Sequence, residues 1–468
     1  ALALAAQRGR RSLAELMRVS PADGLIAGIG SVNGAQFGPE RARCLVMAYD
    51  YTVFAGTQGA MNHKKTDRML HLAQQWRLPV VFFAEGGGGR PGDVDATAVA
   101  ASALDVMSFA SYAKLSGLVP RVGIVSGRCF AGNAALLGCS DVIIATRNAT
   151  IGMGGPAMIE GGGLGTFAPE EVGPTAMQAA NGVVDLVADD DAHAVRLARQ
   201  YLSYFQGPLA DWECADQRRL RQLIPENRLR VYDIRTVIDG LADAGSVLEL
   251  RRGFGVGIVT ALVRIEGRPF GLIANNPMHL GGAIDADAAD KAARFLQLCD
   301  AFDLPIVSLC DTPGFMVGPA AEKTAMVRHV SRLFVTAASL TVPFFTIVLR
   351  KGYGLGAQAM AGGSFHAGVF TIAWPSAEFG AMGVEGAVRL GFRKELEAIA
   401  DPAERQRAFD DMVAQAYDKG KAISVASFLE IDAVIDPLES RDWLLRGLAS
   451  VPPAPVRDGK KRPFVDTW

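Results

Sequence analysis

Apolar residues along this chain fall into short runs and into stripes with 3-and-4 spacing, and the two kinds alternate. Leu78-Pro79-Val80-Val81-Phe82-Phe83-Ala84 is a short run closed by Gly86–Gly89 and Arg90. Leu304-Pro305-Ile306-Val307-Ser308-Leu309-Cys310-Asp311 is a second, closed by Thr312-Pro313-Gly314-Phe315. Both predict buried strands ending in tight turns. Each follows a helical stripe: Met69, Leu72, Ala73 and Trp76 before the first, and Ala292, Phe295, Leu296, Cys299 and Phe302 before the second. Another helix is predicted after each run, over Val99–Leu115 and Met326–Leu340.

Both series then restart on a Val-Pro pair. Val119-Pro120 leads into a strand over Arg121–Ser126, and Val342-Pro343 into one over Phe344–Leu349. Small-residue turns follow, Gly127-Arg128-Cys129-Phe130-Ala131-Gly132-Asn133-Ala134 and Arg350-Lys351-Gly352-Tyr353-Gly354-Leu355-Gly356-Ala357, each opening a helix. Next come strands over Asp141–Thr146 and Gly368–Trp374, then turns at Ile151–Gly155 and Phe379–Gly383. The repeat spacing is about 225 residues, which predicts two α/β domains of one architecture. We place them at 1–220 and 221–468, joined through the polar stretch Asp211–Asn227 with Pro225. Strands alternating with helices would by themselves suggest doubly wound sheets.

Composition narrows the choice. The chain has 468 residues, half of them hydrophobic, enough for two or three domains with sizeable cores. With 47 Lys+Arg against 49 Asp+Glu the net charge is −2, so no whole-molecule field points to nucleic acid or an anionic membrane. No run of eighteen apolar residues occurs, and no membrane span is expected. Cys44, Cys129, Cys139, Cys214, Cys299 and Cys310 form no C-x-x-C pair, which excludes a zinc ribbon. Reduced, mostly buried thiols and a cytoplasmic location are expected. The Pro-rich, basic tail from Pro452 to Trp468 reads as a surface arm. Its 52 glycines cluster in a few places, which suggests backbone that approaches something closely.

A strand that turns through Ala131-Gly132 or Leu355-Gly356 straight into a helix aims its first N–H groups one way. Those groups lack intrahelical partners and carry partial positive charge. Two adjacent ones can form an oxyanion hole, and small residues let a carbonyl or ureido oxygen approach. Other chemistries fare worse. No P-loop or dinucleotide fingerprint appears in the right strand–helix context. The six histidines (His63, His71, His193, His279, His329 and His366) are scattered, so no metal site is expected. Ser126 and Cys129 precede the first turn, but no adjacent base makes either a nucleophile.

These residues carry a resemblance. Asp50-Tyr51-Thr52-Val53-Phe54-Ala55-Gly56-Thr57, Gly127–Ala134, Cys299-Asp300-Ala301-Phe302, Asp311–Phe315, Arg350–Ala357, Ala373-Trp374-Pro375-Ser376-Ala377-Glu378 and Ile435-Asp436-Pro437 with Arg441 are similar to motifs of the carboxyltransferase component of biotin-dependent acyl-CoA carboxylases, of the propionyl-CoA and long-chain kind. The resemblance spans residues 25–445. It implies two crotonase-like domains, each a spiral of ββα units. It also implies dimers in which the first domain of one subunit faces the second domain of another, and hexamers of three such dimers. The implied reaction moves a carboxyl group from N1′ of carboxybiotin to the α-carbon of an acyl-CoA. Ala131 and Gly132 would hold the thioester oxygen, and Leu355 and Gly356 the biotin ureido oxygen. Released biotin would serve as base.

The chain departs from the family pattern at several places. Similar proteins often have Gly-Gly-Ala where Ala131-Gly132-Asn133 and Gly354-Leu355-Gly356 stand, so donor assignment shifts by up to one residue. Gly86–Gly89-Arg90 replaces Ser-Gly-Gly-Ala-Arg. Arg90 is expected either to order this loop or to meet a CoA phosphate. Gln358 replaces an Asp that helps choose acyl length in short-chain enzymes, which favours the long-chain or broad-range branch. No Met-Lys-Met biotinylation motif and no ATP-grasp loop occur. Biotin is therefore expected on another subunit or on an upstream segment, alongside biotin carboxyl carrier and biotin carboxylase partners. Three other functions share parts of this reading: a biotin-dependent decarboxylase with the same site, a hydratase or isomerase using Glu160 or Glu385, and a CoA-binding scaffold without catalysis.

Overall fold

The computed structural model describes residues 12–90, 104–228 and 230–468. The chain forms two compact units. The first runs to Gly207 and takes in Arg251–Phe254 and Arg457–Trp468; the second comprises Pro208–Leu250 and Gly255–Val456.

In the first unit the strands are β1 (Leu25–Ser31), β2 (Arg43–Tyr49), β3 (Val80–Phe83), β4 (Arg121–Val125), β5 (Arg128–Phe130), β6 (Val142–Thr146), β7 (Thr150–Gly152) and β8 (Leu186–Ala188). Six of them form a sheet in the order β1-β2-β3-β4-β6-β8, and β5 pairs with β7 in a small sheet of two. Only β1 and β2 are antiparallel; the remaining pairs of the large sheet are parallel. The central strands β4 and β6 are buried throughout. That is why Val122-Gly123-Ile124-Val125 and Val142-Ile143-Ile144-Ala145 read as continuous apolar runs rather than alternating ones. Arg121 and Asp141 enter this interior as a pair 2.6 Å apart, 2% and 0% exposed. Burial of this kind is tolerable because each charge neutralises the other.

The second unit contains β9 (Leu248–Leu250), β10 (Ile258–Ile265), β11 (Arg268–Asn275), β12 (Ile306–Thr312), β13 (Phe344–Tyr353), β14 (Phe370–Ala373), β15 (Glu378–Gly380) and β16 (Ala433–Val434). Its sheet runs β16-β14-β13-β12-β11-β10-β9, with β15 on the far end of β13. The pairing repeats that of the first unit. An antiparallel pair, β10 with β11, leads into parallel pairing of β11, β12, β13 and β14. One difference matters. β4 and β5 are separate strands, whereas β13 is a single ten-residue strand that pairs with β14 along one stretch and with β15 at its end. An antiparallel start and a side pair such as β5 with β7 do not belong to a doubly wound sheet, so the simplest expectation from strand–helix alternation is corrected.

Two helical expectations shift as well. The helix Ala60–Trp76 buries Asn62, Thr66, Leu70 and Ala73 and leaves Trp76 52% exposed. The buried stripe is thus offset from Met69, Leu72 and Trp76. Polar residues occupy it because Asn62 is hydrogen-bonded inside, to Asp23 O and to Tyr49 Oη. Of the helix expected over Val99–Leu115, the described part is Ser108–Lys114; residues 99–103 lie outside the described residues. The tail is anchored rather than free along its length. Val465 is buried, and its N–H and C=O both bond to Ser116 Oγ in the first unit.

Candidate functional site

Each unit places one glycine turn at the end of a strand ladder. In the first, β5 pairs with β7 in the register Arg128↔Thr150, Cys129↔Ile151, Phe130↔Gly152. In the second, β13 pairs with β15 as Lys351↔Glu378, Gly352↔Phe379, Tyr353↔Gly380. Phe130 therefore matches Tyr353, and the next three positions match as Ala131 with Gly354, Gly132 with Leu355, and Asn133 with Gly356. Ala131 and Gly354 share a positive φ, 53° and 58°. Helices begin at once, over Gly132–Gly138 and Gly354–Met360.

Hydrogen-bond accounting decides which amides are available. The N–H of Ala131 donates to Gly152 O at 3.1 Å, because the β5–β7 ladder runs one residue past the strand. Of the two first-turn donors expected from sequence, Ala131 is thus already committed, and Gly132 N–H is the one without an acceptor among the described residues. In the second turn Leu355 N–H has no acceptor among the described residues. Leu355 is the match of Gly132 and is 62% exposed.

A second loop lies close to each turn. The loop after β3 brings Gly88 (φ +89°) so close that a Cβ on it would lie 3.2 Å from Gly132 N. Gln58 N donates to Gly88 O and Arg90 N donates to Gln58 O, leaving Gly89 N–H without an acceptor among the described residues. In the second unit Ile284 N donates to Gly314 O and Met316 N donates to Ile284 O, which leaves Phe315 N–H in the same state. A Cβ on Gly356 would lie 2.7 Å from Gly314 Cα and 3.2 Å from Phe315 N, so only glycine lets the helix approach this loop. Gly89 and Phe315 were not singled out from the sequence. Alignment on the aromatic pair Phe130 and Tyr353 would have exposed the one-residue offset.

Side chains fix these loops from beneath. Asp311, fully buried at the end of β12, accepts from Tyr232 Oη at 2.8 Å, from Arg350 Nε at 3.1 Å and from Lys351 N at 3.2 Å. Arg350 is 3% exposed, donates to Arg230 O at 2.7 Å and stacks on Tyr232. Lys351 Nζ donates to Gly281 O, and burial pulls its pKa down against the pull of Asp311. The first unit has Glu85 where the second has Asp311, and Gly127 where the second has Arg350. Glu85 accepts from Ser126 N at 2.5 Å instead of from a guanidinium. Burial raises its pKa, with the Ser126 bond acting the other way.

The remaining sequence candidates can now be placed. Arg90 pairs with Asp23 at 2.8 Å, donates to Thr57 O and stacks over Phe54, with a side chain only 10% exposed. Of its two expected roles, this geometry supplies the ordering of the loop. Gln358 is exposed, one helical turn on from Leu355 and on the same face. Cys129 is fully buried and burial pushes its thiol pKa well up, so it offers no thiolate. Glu160 is exposed on the short helix Pro156–Gly161, and Glu385 is held by Arg228 at 3.0 Å and by Tyr417 Oη. Neither lies in a turn. A cavity of about 1070 Å³ in the second unit, lined among others by Arg228, Arg350, Trp374, Glu378 and Tyr417, does not include Gly354, Leu355, Gly356 or Phe315 in its lining. Among the described residues no group of three His, Cys, Asp or Glu side chains could hold a metal ion, and no helix is long and apolar enough to cross a membrane.

Two repeated α/β units, each ending a strand ladder in a turn of unpaired amides, define a crotonase-like fold, and comparison with known proteins agrees. Residues 4–457 match the carboxyl transferase domain family, and the chain belongs to that family. It is 34% identical to the methylmalonyl-CoA carboxyltransferase 12S subunit of Propionibacterium freudenreichii subsp. shermanii, over 90% of this chain and 80% of that one. It is 32% identical to the biotin-dependent long chain acyl-coenzyme A carboxylase beta4 subunit of Mycobacterium tuberculosis, over 91% and 81%. Among solved structures it matches a single-chain, multi-domain long-chain acyl-CoA carboxylase with TM-score 0.89 and 62% identity, covering 95% of this chain. It spans 44% of that larger protein. It also matches the hexameric transcarboxylase 12S structure with TM-score 0.83 and 30% identity, covering 98% of this chain and 88% of that one.

Two outcomes follow from this geometry. Ala131 pays for its positive φ, and a strained non-glycine residue costs about 1–3 kcal/mol. Ala131→Gly is expected to stabilise the first unit by about 1 kcal/mol, read as a rise in thermal midpoint. Glu85→Gln keeps the acceptor for Ser126 N and removes the buried charge. Because the folded-state pKa of Glu85 is raised, the wild type loses stability as pH rises through the carboxylate range to that pKa. The variant should therefore be the more stable protein at neutral pH, and the gap should close below the ordinary carboxylate range, as unfolding at a series of pH values would measure.

Proposed function

We propose that this chain is the carboxyltransferase of a biotin-dependent acyl-CoA carboxylase, working on long-chain or broad-range acyl-CoA. One observation carries the reading: unpaired N–H groups stand at the same ladder position in both units, Gly132 in one and Leu355 in the other. A donor held rigidly without an acceptor stabilises an oxygen that gains negative charge, and a single such donor is worth about 3–4 kcal/mol. The 62% identity to a long-chain acyl-CoA carboxylase supports the choice of substrate class.

The first half-site takes the acyl-CoA. Gly132 N–H, with Gly89 N–H across the loop, receives the thioester oxygen as the α-carbon gives up its proton. The positive end of the helix Gly132–Gly138 adds to the same stabilisation. The second half-site takes biotin. Its floor is main chain, because a Cβ on Gly354 would meet Ala381 O at 2.9 Å and one on Gly356 would meet Gly314. That surface suits a flat ureido group, whose oxygen Leu355 N–H receives together with Gly356 and Phe315. Carboxybiotin, when bound, would supply both the carboxyl group and the base: N1′ would give up CO2 and accept the α-proton, and the α-carbon would bond to that CO2, so the exchange would balance without a side-chain base. The buried thiol of Cys129 and the pairing of Glu385 accord with a site that works through backbone donors.

The two half-sites serve one reaction when subunits pair, the first unit of one facing the second of its partner, with three such dimers in a hexamer; a hexamer assembly is named for the transcarboxylase 12S protein. Biotin arrives on a carrier domain charged by a biotin carboxylase, on separate subunits or on other parts of a longer chain. The multi-domain relative supports the latter arrangement. Gln358, on the face of Leu355, is the residue we assign to acyl-length choice.

The assembled complex should convert acyl-CoA to its carboxylated thioester, and absence of product at every chain length would refute the reading. Leu355→Pro deletes one N–H in a first helical turn that tolerates proline, and the exposed side chain gives up little packing. Carboxyl transfer should fall about 100- to 1000-fold, while Leu355→Ala, which keeps the N–H, should stay near wild type. Larger or charged residues at Gln358 should shift the chain-length profile in the same assay, and an unchanged profile would remove that role.

A further inference from the structure

Asn133 is a buried side chain in the first turn that the reaction as proposed does not use. It is the second residue of the helix Gly132–Gly138 and is fully buried. Its Oδ1 accepts from Gly88 N at 3.0 Å. Its Nδ2 donates to Gly56 O at 3.3 Å and lies 3.5 Å from Glu85 O. One carboxamide therefore ties together the turn at Gly56, the loop after β3 and the start of the helix, three segments distant in sequence.

The space for it is built in. A Cβ on Gly86 would lie 2.3 Å from Asn133 Nδ2, so the loop must carry glycine there for the carboxamide to fit. The matching residue in the second unit is Gly356, where the helix backbone packs directly on Gly314. The two units thus hold the loop against the helix by different means, the second by contact and the first through a side chain.

What Asn133 holds is specific. Gly88 O is already fixed by Gln58 N at 2.7 Å, and Asn133 fixes Gly88 N, so both polar ends of this residue are clamped. The next amide is Gly89 N–H, without an acceptor among the described residues, on the loop that packs against Gly132. Its direction follows from how Gly88 is held, and a donor acts on a developing oxyanion only when its direction is fixed beforehand.

We infer that Asn133 is a positioning residue of the acyl-CoA half-site: its carboxamide holds the Gly87–Gly88 peptide while Gln58 N–H holds Gly88 O, and the two together fix the peptide that carries Gly89 N–H so that Gly89 N–H and Gly132 N–H converge on one oxygen. The inference rests on the function proposed above. An interaction realised in the transition state acts on kcat and leaves substrate binding alone.

The test uses Asn133→Ala in the assembled complex, with two readouts. In acyl-CoA carboxylation, kcat should fall about 10- to 100-fold while KM for acyl-CoA stays within about twofold. In hydrogen–deuterium exchange, amides of Gly86–Arg90 should exchange at least about tenfold faster, with those around Gly314 and Leu355 unchanged. A variant that keeps wild-type kcat, or that raises KM in step with the loss of rate, overturns the inference. So does unchanged exchange in the loop. Should the wild type itself transfer no carboxyl group, the proposed function fails, and the exchange result still decides whether Asn133 holds the loop.

Discussion

A main-chain amide can stabilise charge on a ligand only if the protein leaves it unpaired, and a folded chain pairs nearly all the amides it buries. That constraint organises both units. The place where a parallel ladder has ended and a helix has not yet closed its first turn is where such amides occur naturally. Even there a margin of one residue decides the outcome: Ala131 N–H is absorbed by Gly152 O and Gly132 N–H is not. The helices that follow are short, with seven residues each, so their starts are held by the surrounding packing more than by helix formation itself.

Keeping an amide unpaired and still is costly, and the two units meet the cost differently. The second uses a buried ionic knot. Asp311 gathers Tyr232, Arg350 and Lys351 N, so that the end of β12 and the end of β13 are fixed to one carboxylate. The first has no such knot at the same register. Glu85 meets a peptide N–H, Gly127 replaces the guanidinium, and the loop is gripped by Gln58 and Asn133 instead. Ala131 adds a residue in a backbone region that glycine occupies more comfortably.

Much of this was legible in the sequence. The repeat, the apolar runs of β3 and β12, and the position of both turns followed from spacing alone. The crotonase-like spiral did not, because strand–helix alternation is shared by many α/β layouts and nothing local marks the antiparallel entry pair or the side strands β7 and β15. The stripe on Ala60–Trp76 was misphased because hydrogen-bonded Asn62 and the small Thr66 take core positions that an apolar count assigns to Met69 and Trp76. Ala131 drops out of the expected donors for a related reason: glycines mark where a turn lies, but only the ladder register says which amide it frees. Arg90 could be read either way until Asp23, remote in sequence, was found beside it.

The continuity of β13 has a mechanical side. In the second unit the rungs that bind β13 into the middle of the sheet belong to one unbroken ten-residue strand that ends at Tyr353, two residues before the Leu355 amide. A tug on that amide is passed straight into the stiffest layer of the domain, like a load on a cantilever. In the first unit the joint between β4 and β5, at Ser126-Gly127, interrupts that path, and the link to the sheet is made instead by Glu85, which accepts from Ser126 N.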